Sequence, residues 1–401
     1  MELIKLLAVF LVILAILWIK KPLYMAVAGG IVATVLLYGI SLGDFVQLSV
    51  KSATSSTTLE LIAIIYLITY LQRMLEKRGL LMQAQKALNG IFNNRRINAS
   101  LAPVFIGLLP SPAAVTICGQ IVDEATEDYL DKEEKTFVTT YFRHIPESFL
   151  PTYQSVLISC SLSGVAVSAF VGGMLPMVVV LFCLGHLFYL RKVPKETGDP
   201  PSQNKAADWK SLAWSLWSLF FVIFLILAFN VKVLHAVLIV LVLSAVVYKF
   251  SFQELGELIP KAFEMRMIAN TFLIYIFKDV LIVSGIIGLL PRYFAQLPIP
   301  SFMVFALLFF VGSLVAGAGA ISATCIPLAF QTIPGGGMPL LVLLTGFSYA
   351  AMQVGPTHIC LAVVTEYFGT NMASLIKKTL PVIAAFCVIL LGYYGVLTMI
   401  F

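Results

Sequence analysis

Two proline–threonine pairs hold the residues best placed to do chemistry. Pro151-Thr152 and Pro356-Thr357 each sit inside an apolar run, 205 residues apart (356 − 151). A glycine follows each pair at the same distance, Gly164 in one case and Gly369 in the other. Proline has no backbone N–H and its ring clashes with the preceding turn, so a membrane helix that carries it must break. The break frees carbonyls at the end of one half-helix and N–H groups at the start of the next. The carbonyls suit a small cation, and the N–H groups, at the positive end of a helix dipole, suit an anion. Matching breaks in two halves of a chain point to a transporter binding site. The competing account is a pair of proline kinks that bind nothing.

Around the breaks lie Tyr153, Gln154, Gln353, Gly355 and His358. Two further interruptions match each other: Leu108–Ala114, which contains Pro110-Ser111-Pro112, and Leu314–Ala320, which contains Gly317 and Gly319, 206 residues on (314 − 108). Two prolines around a serine cannot sit in a continuous helix, so each segment reads as a re-entrant hairpin whose turn meets a break near the bilayer midplane. The candidate substrate and ion site is therefore Ser111, Pro112, Thr116, Pro151, Thr152, Tyr153, Gln154, Gly317, Gly319, Ser322, Thr324, Gln353, Gly355, Pro356, Thr357 and His358. Na+ would be held at the hairpin–break junctions. Single Ser and Thr residues in membrane helices more often serve as packing contacts. A cluster at matched positions favours function.

Ionisable residues inside crossings are rarer. Arg143, His144 and Glu147 precede the first break, and on a helix Arg143 and Glu147 are i,i+4 neighbours. A rise of 1.5 Å per residue puts Arg143 about 12 Å from Pro151, which suits a gate better than direct contact. An internal ion pair is the plainer account. His358, with an ordinary pKa of about 6.5, would permit proton coupling, and a neutral hydrogen-bonded ring is the alternative. Glu366 is a further gating or interfacial candidate, and Lys278 and Asp279 are expected to point in different directions. No G-x-x-x-x-G-K-[ST], H-E-x-x-H or G-x-S-x-G occurs, so neither ATP binding nor hydrolase chemistry is indicated. The six cysteines form no C-x-x-C pair and read as packing residues, with no metal site or disulfide framework. The expectation is a non-enzyme without a cofactor.

The elements that must position these residues follow from composition. Of 401 residues, 60% are hydrophobic and 11% charged, against about 25% charged in soluble domains. Runs of about 20 apolar residues recur throughout, so the fold class is an all-α polytopic membrane protein. The net charge of +6 is accounted for by orientation in the bilayer and calls for no nucleic acid. Tyr38–Asp44 matches Tyr248–Glu254 at an offset of 210 (248 − 38). The match pairs the first apolar run, Leu3–Ile19, with the run that opens the second half, so it is not read as a cleaved signal. Residues 1–190 form a first repeat, with a hairpin at about 97–122 and a broken helix at about 134–165. Residues 191–210, rich in Pro and Gly, form a cytoplasmic linker. Residues 211–401 form a second repeat, with a hairpin at about 301–330 and a broken helix at about 340–368. Each repeat has five crossings plus one hairpin. Five is odd, so the second repeat is inverted. With the loop between the first two helices inside, only Lys5, Lys51, Arg143, Lys232, Lys278 and Arg292 of the 26 Lys and Arg residues fall elsewhere. Both termini are then outside.

Gly107-Leu108-Leu109-Pro110-Ser111-Pro112, Gly355-Pro356-Thr357-His358-Ile359-Cys360-Leu361 and Thr365-Glu366-Tyr367-Phe368, set in this architecture, resemble a ten-helix branch of the ion transporter superfamily. That group includes gluconate permeases, citrate and dicarboxylate carriers and the large subunits of TRAP transporters. The resemblance implies a homodimer in a prokaryotic-type cytoplasmic membrane, with a central scaffold and transport domains that move as elevators. It also implies coupling to Na+ or H+ and an anionic substrate, often a carboxylate. Sodium-coupled dicarboxylate carriers have Ser-Asn-Thr at the hairpin turns. Here the turns read Ser111-Pro112-Ala113 and Gly317-Ala318-Gly319, so that clamp is not carried over. The expected function is secondary active transport of a small organic anion. The rivals are a cation/proton antiporter with no organic substrate and a membrane enzyme using His144, Glu147 and His358.

Overall fold

A computed structural model describes residues 2–19, 21–91, 94–107, 112–196, 204–286, 298–355 and 358–401, and the regular structure among them is helical throughout. The chain opens with α1 (Glu2–Trp18), α2 (Leu23–Tyr38), α3 (Leu42–Ala53), α4 (Ser56–Lys77) and α5 (Leu80–Ile91). It continues with α6 (Arg95–Gly107), α7 (Pro112–Thr126), α8 (Lys132–His144), α9 (Gln154–Ser163) and α10 (Val167–Phe188). The second series is α11 (Lys205–Phe229), α12 (Val233–Val247), α13 (Phe252–Lys261), α14 (Met265–Val283) and α15 (Ser301–Ala316). It ends with α16 (Ala318–Thr332), α17 (Gly337–Met352), α18 (Ile359–Phe368) and α19 (Met372–Ile400).

Four of these helices, α4, α10, α11 and α19, are long and apolar enough to cross a membrane, and several others are shorter but apolar. Two helices were not anticipated. The matched motif at residues 38–44 and 248–254 is the N-cap of a short helix in each copy. Ser41 accepts from the Asp44 amide to start α3, and Ser251 with Glu254 forms a capping box at α13. Their polar faces hid them from a search for long apolar runs.

Between helices in lipid there is no hydrophobic driving force, so close packing and polar contacts hold the bundle together. Phe137, Tyr141 and Phe142 on α8 are fully buried, and Gly185 on α10 leaves room for the rings of Tyr141 and Phe142. Tyr141 donates to the Leu181 carbonyl at 2.8 Å. Along α17, Leu340–Leu344 is buried without exception, so this helix is enclosed by its neighbours. Contacts cross between the two series at α9–α16, α7–α18, α8–α18, α5–α11 and α2–α14. At the C-terminal end of α4, Arg78 bonds Glu254 at 2.7 Å and Lys77 bonds Glu257 at 2.8 Å, which ties α4 to α13. Lys278 and Asp279 do not diverge as expected. Their side chains pair at 3.2 Å, and Asp279 also accepts from Ser52 on α3.

Among the described residues, helices end on either side of residues 108–111, at Gly317 and on either side of residues 353–358, and the first break has a shifted boundary. The first helix ends at His144, earlier than Pro151. Ile145–Ser148 forms a 3-10 turn, and α9 starts only at Gln154. Pro146 explains the shift, because it cannot donate to a carbonyl four residues back and is tolerated in the first turn of a new helix. Arg143 is therefore at the edge of the break, and the continuous helix expected to run from it to Pro151 is absent. Gly164 (φ +73) ends α9 and Gly369 (φ +64) ends α18 in left-handed caps, which accounts for the paired glycines.

Candidate functional site

The last turn of α8 carries Arg143 and His144 into the interior, where both side chains are almost wholly enclosed. His144 Nδ1 lies 2.6 Å from the Thr140 carbonyl, so that nitrogen carries the proton and donates. A neutral ring in this tautomer leaves Nε2 as an acceptor. Two groups reach it: Arg143 Nη1 at 3.2 Å and His358 Nε2 at 2.9 Å. The two imidazoles meet edge to face, with ring centroids 4.7 Å apart. His358 is the N-cap of α18, so a hydrogen bond joins the end of one interrupted helix to the start of the other.

Arg143 Nη1 lies among further acceptors. Glu147 Oε1 is 3.7 Å away and Cys360 Sγ 3.6 Å. Glu147 sits in the 3-10 turn with 14% of its side chain exposed, so the expected i,i+4 pair forms, loosely, through the start of the break. Ligand atoms of His144, His358 and Cys360 all lie within 4.8 Å of one another, a donor set that could hold a metal ion. Sequence reading missed Cys360. It stands two residues after His358, a spacing that could have marked it, but 216 residues from His144 (360 − 144), to which nothing local connects it.

Tyr153 crosses the break and donates to the Gly107 carbonyl at the end of α6. Gly107 is pressed against the chain at Arg143, where a Cβ would lie 2.0 Å from the Arg143 carbonyl oxygen. The first interruption is thus bolted to the end of the helix that precedes the expected hairpin turn.

On the other side of the turn is a small, partly open pocket of about 30 Å³ with several hydroxyl groups in its wall. Glu147, Ser148, Ser155 and Ser159 line it from the first series, and Ser322, Thr345, Ser348 and Tyr349 from the second. That volume holds about one water-sized occupant. Ser159 Oγ and Thr152 Oγ1 are buried without a hydrogen-bond partner. Ser348 shares a 2.7 Å bond with Ser313. A larger, mostly apolar cleft of about 480 Å³ opens beside α4, α9 and the start of α12, with Glu60 and Lys232 among its lining.

The other expected residues divide. Pro151 is buried in the turn before α9. Gln154 opens α9 but reaches Thr271 on α14 at 3.4 Å. Gly317 separates α15 from α16 with φ +83, and Gly319 lies in the first turn of α16. Thr324 turns its hydroxyl back to the Ala320 carbonyl at 2.9 Å. Gln353 donates to the Tyr349 hydroxyl at 2.6 Å, which places it against the cavity wall. Gly355 precedes the second interruption, and a Cβ there would approach the Ala351 carbonyl to 3.2 Å. Glu366 is exposed near the end of α18, with no contact to the cluster among the described residues. Ser111, Pro356 and Thr357 lie outside the described residues. Pro112 and Thr116 fall on α7, and their side chains are likewise outside the description.

Residues 3–397 match the family described as "Protein of unknown function (DUF401)", and the chain belongs to that family. None of the curated proteins searched matches the chain. Among solved structures, the fold is similar to that of the YdaH transporter of Alcanivorax borkumensis, with a TM-score of 0.50 at 13% identity over 89% of each chain.

Proposed function

We propose that this protein is a secondary active transporter that moves a small organic anion, a carboxylate, with Na+ or H+. The observation that carries the reading is the meeting of the two interrupted helices at His144 and His358, 2.9 Å apart, with Arg143 at the same point. Interrupted helices that meet between repeats, with an ionisable cluster at the junction, are the usual construction of a secondary transporter site. The fold shared with the YdaH transporter supports the same reading. Arg143 is the candidate anion contact, because a guanidinium fork matches a carboxylate in two hydrogen bonds. The small pocket beside Glu147, with its hydroxyl groups, is the candidate place for the coupling cation.

Two inverted repeats underlie this reading. The helices α1–α4, α6–α7, α8–α9 and α10 correspond in order to α11–α14, α15–α16, α17–α18 and α19. The pairs α6–α7 and α15–α16 stand where the re-entrant hairpins are expected. A homodimer of elevator type, with both termini outside, completes the proposal.

The test is uptake by proteoliposomes loaded with purified protein, across a panel of mono- and dicarboxylates. Imposed Na+ and pH gradients are varied separately. Uptake should require one of the gradients and should vanish in Arg143→Gln. Folded protein that moves no anion under either gradient removes the proposal. Glu147, a carboxylate in the wall of a small hydroxyl-bearing pocket, favours a second reading, a cation/proton antiporter. Proton release on adding Na+ with no anion present would put that reading first.

A further inference from the structure

The cluster at the junction has a property that anion transport does not require. Arg143 Nη1 is a single cationic nitrogen with three electron-pair donors converging on it: His144 Nε2 at 3.2 Å, Cys360 Sγ at 3.6 Å and Glu147 Oε1 at 3.7 Å. A fourth donor, His358, touches His144 at 2.9 Å. We propose that His144, His358 and Cys360 form a binding site for a borderline, thiol-preferring divalent ion of the zinc class, and that the Arg143 guanidinium occupies it in the metal-free state.

The donor chemistry selects the ion. Two imidazoles and a thiolate suit Zn2+ and its Co2+ surrogate and do not suit Mg2+ or Ca2+, which take oxygen ligands. The site already has the outer support that metal-bound histidines need. His144 Nδ1 donates to the Thr140 carbonyl, which fixes the ring and aims Nε2 at the cluster. The residues come from α8 and from the start of α18, with ligand atoms within 4.8 Å of one another. Metal binding would therefore clamp the two interrupted helices together. For the ion to enter, Arg143 swings off Cys360 and His144, and Glu147 remains near enough to receive it. Cys360 binds as the thiolate, its proton passing to water. This inference rests on the donor set alone and goes beyond the transport reading.

The experiment is a melting curve of the detergent-purified chain, with no anion and no gradient, against Zn2+, Mg2+ and Ca2+. Zn2+ should raise the melting temperature while Mg2+ and Ca2+ leave it unchanged, because only an ion that binds the folded state stabilises it. Cys360→Ser and His358→Gln should each abolish the Zn2+ shift. Added Co2+ should give a sulfur-to-cobalt charge-transfer band that Cys360→Ser removes and Zn2+ displaces. Arg143→Met removes the competing cation, so the Co2+ affinity should rise by about tenfold or more. Wild-type melting that ignores Zn2+ overturns the proposal, as does a shift that survives both ligand substitutions. If Arg143→Met does not fold, the wild-type curves still decide. Loss of the metal site leaves anion uptake as a separate measurement, and loss of uptake leaves the metal titration intact.

Discussion

Gly107→Ala tests the contact on which the whole site depends. Gly107 is the last residue of α6, and the methyl group would lie 2.0 Å from the carbonyl oxygen of Arg143 and 3.0 Å from its carbonyl carbon. Carbon atoms do not approach oxygen closer than about 3 Å without repulsion, so the two segments must separate by about 1 Å. The opposing atom is backbone, so no rotamer change relieves it. Overpacking of this kind costs about 1–3 kcal/mol, and a backbone opponent places this case at the upper end. The same shift moves the Arg143 carbonyl, weakens the Tyr153 bond to the Gly107 carbonyl and turns the guanidinium away from Glu147. The assay is thermal or denaturant unfolding of the purified protein, compared with Gly172→Ala. Gly172 is helical in α10, faces outward, and has nothing within 4 Å of the added methyl. That control should be neutral, or more stable by about 0.5–1 kcal/mol, because alanine is the better helix former. If Gly107→Ala melts with its control, α6 does not press on the break and the geometry described for Arg143 is wrong.

Substitutions at four other positions have defined outcomes. Tyr153→Phe leaves the Gly107 carbonyl without its donor and should cost about 1–3 kcal/mol in the same unfolding assay, with an unchanged fold by circular dichroism. Arg143→Gln leaves the largely buried Glu147 without its cationic partner and should cost about 3–5 kcal/mol. The double variant Arg143→Gln, Glu147→Gln should recover much of that loss, and a double variant no better than the single would show that the charges are not coupled. Outside the membrane, the hydrogen bonds that Arg78 makes to Glu254, at 2.7 and 3.0 Å, hold that carboxyl down at about 2, helped by the Ser251 amide. A depressed carboxyl stabilises the folded state above its unfolded pKa of about 4.3, and the contribution fades as pH falls toward 2. Glu254→Gln should therefore flatten the loss of melting temperature between about pH 5 and pH 2, and equal slopes in the two proteins would contradict the pairing.

The interruptions were legible in the sequence because proline acts locally: its missing N–H and its ring clash depend on no neighbour. Gly164 and Gly369 were legible for a similar reason, since a left-handed cap selects glycine wherever it falls. The start of the first break was misplaced because two prolines compete there. Pro146 acts first in the chain, and Pro151 then falls in a segment already unwound. The helices α3 and α13 escaped because their hydrophobic faces are short, although their serine caps were visible as a repeated motif. The junction itself could not be read. His144 and His358 are 214 residues apart, and no local rule says that the end of α8 packs on the start of α18.

That packing changes what Arg143 means. On a continuous helix the arginine is a distant gate, paired in sequence with Glu147. At the edge of a break it is, among the described residues, the fixed positive charge where both interrupted helices meet, set against His144, Glu147 and Cys360. A charge so enclosed is costly unless its partners compensate it. The partners here come from both series of helices, so any motion that separates α8 from α18 must re-pair Arg143. On the proposed readings, an anion entering between them would supply that partner, and a cation bound at the histidines and Cys360 would displace it. The same residue can therefore couple the position of two helices to what is bound between them, because differential interaction with two states is all that coupling requires.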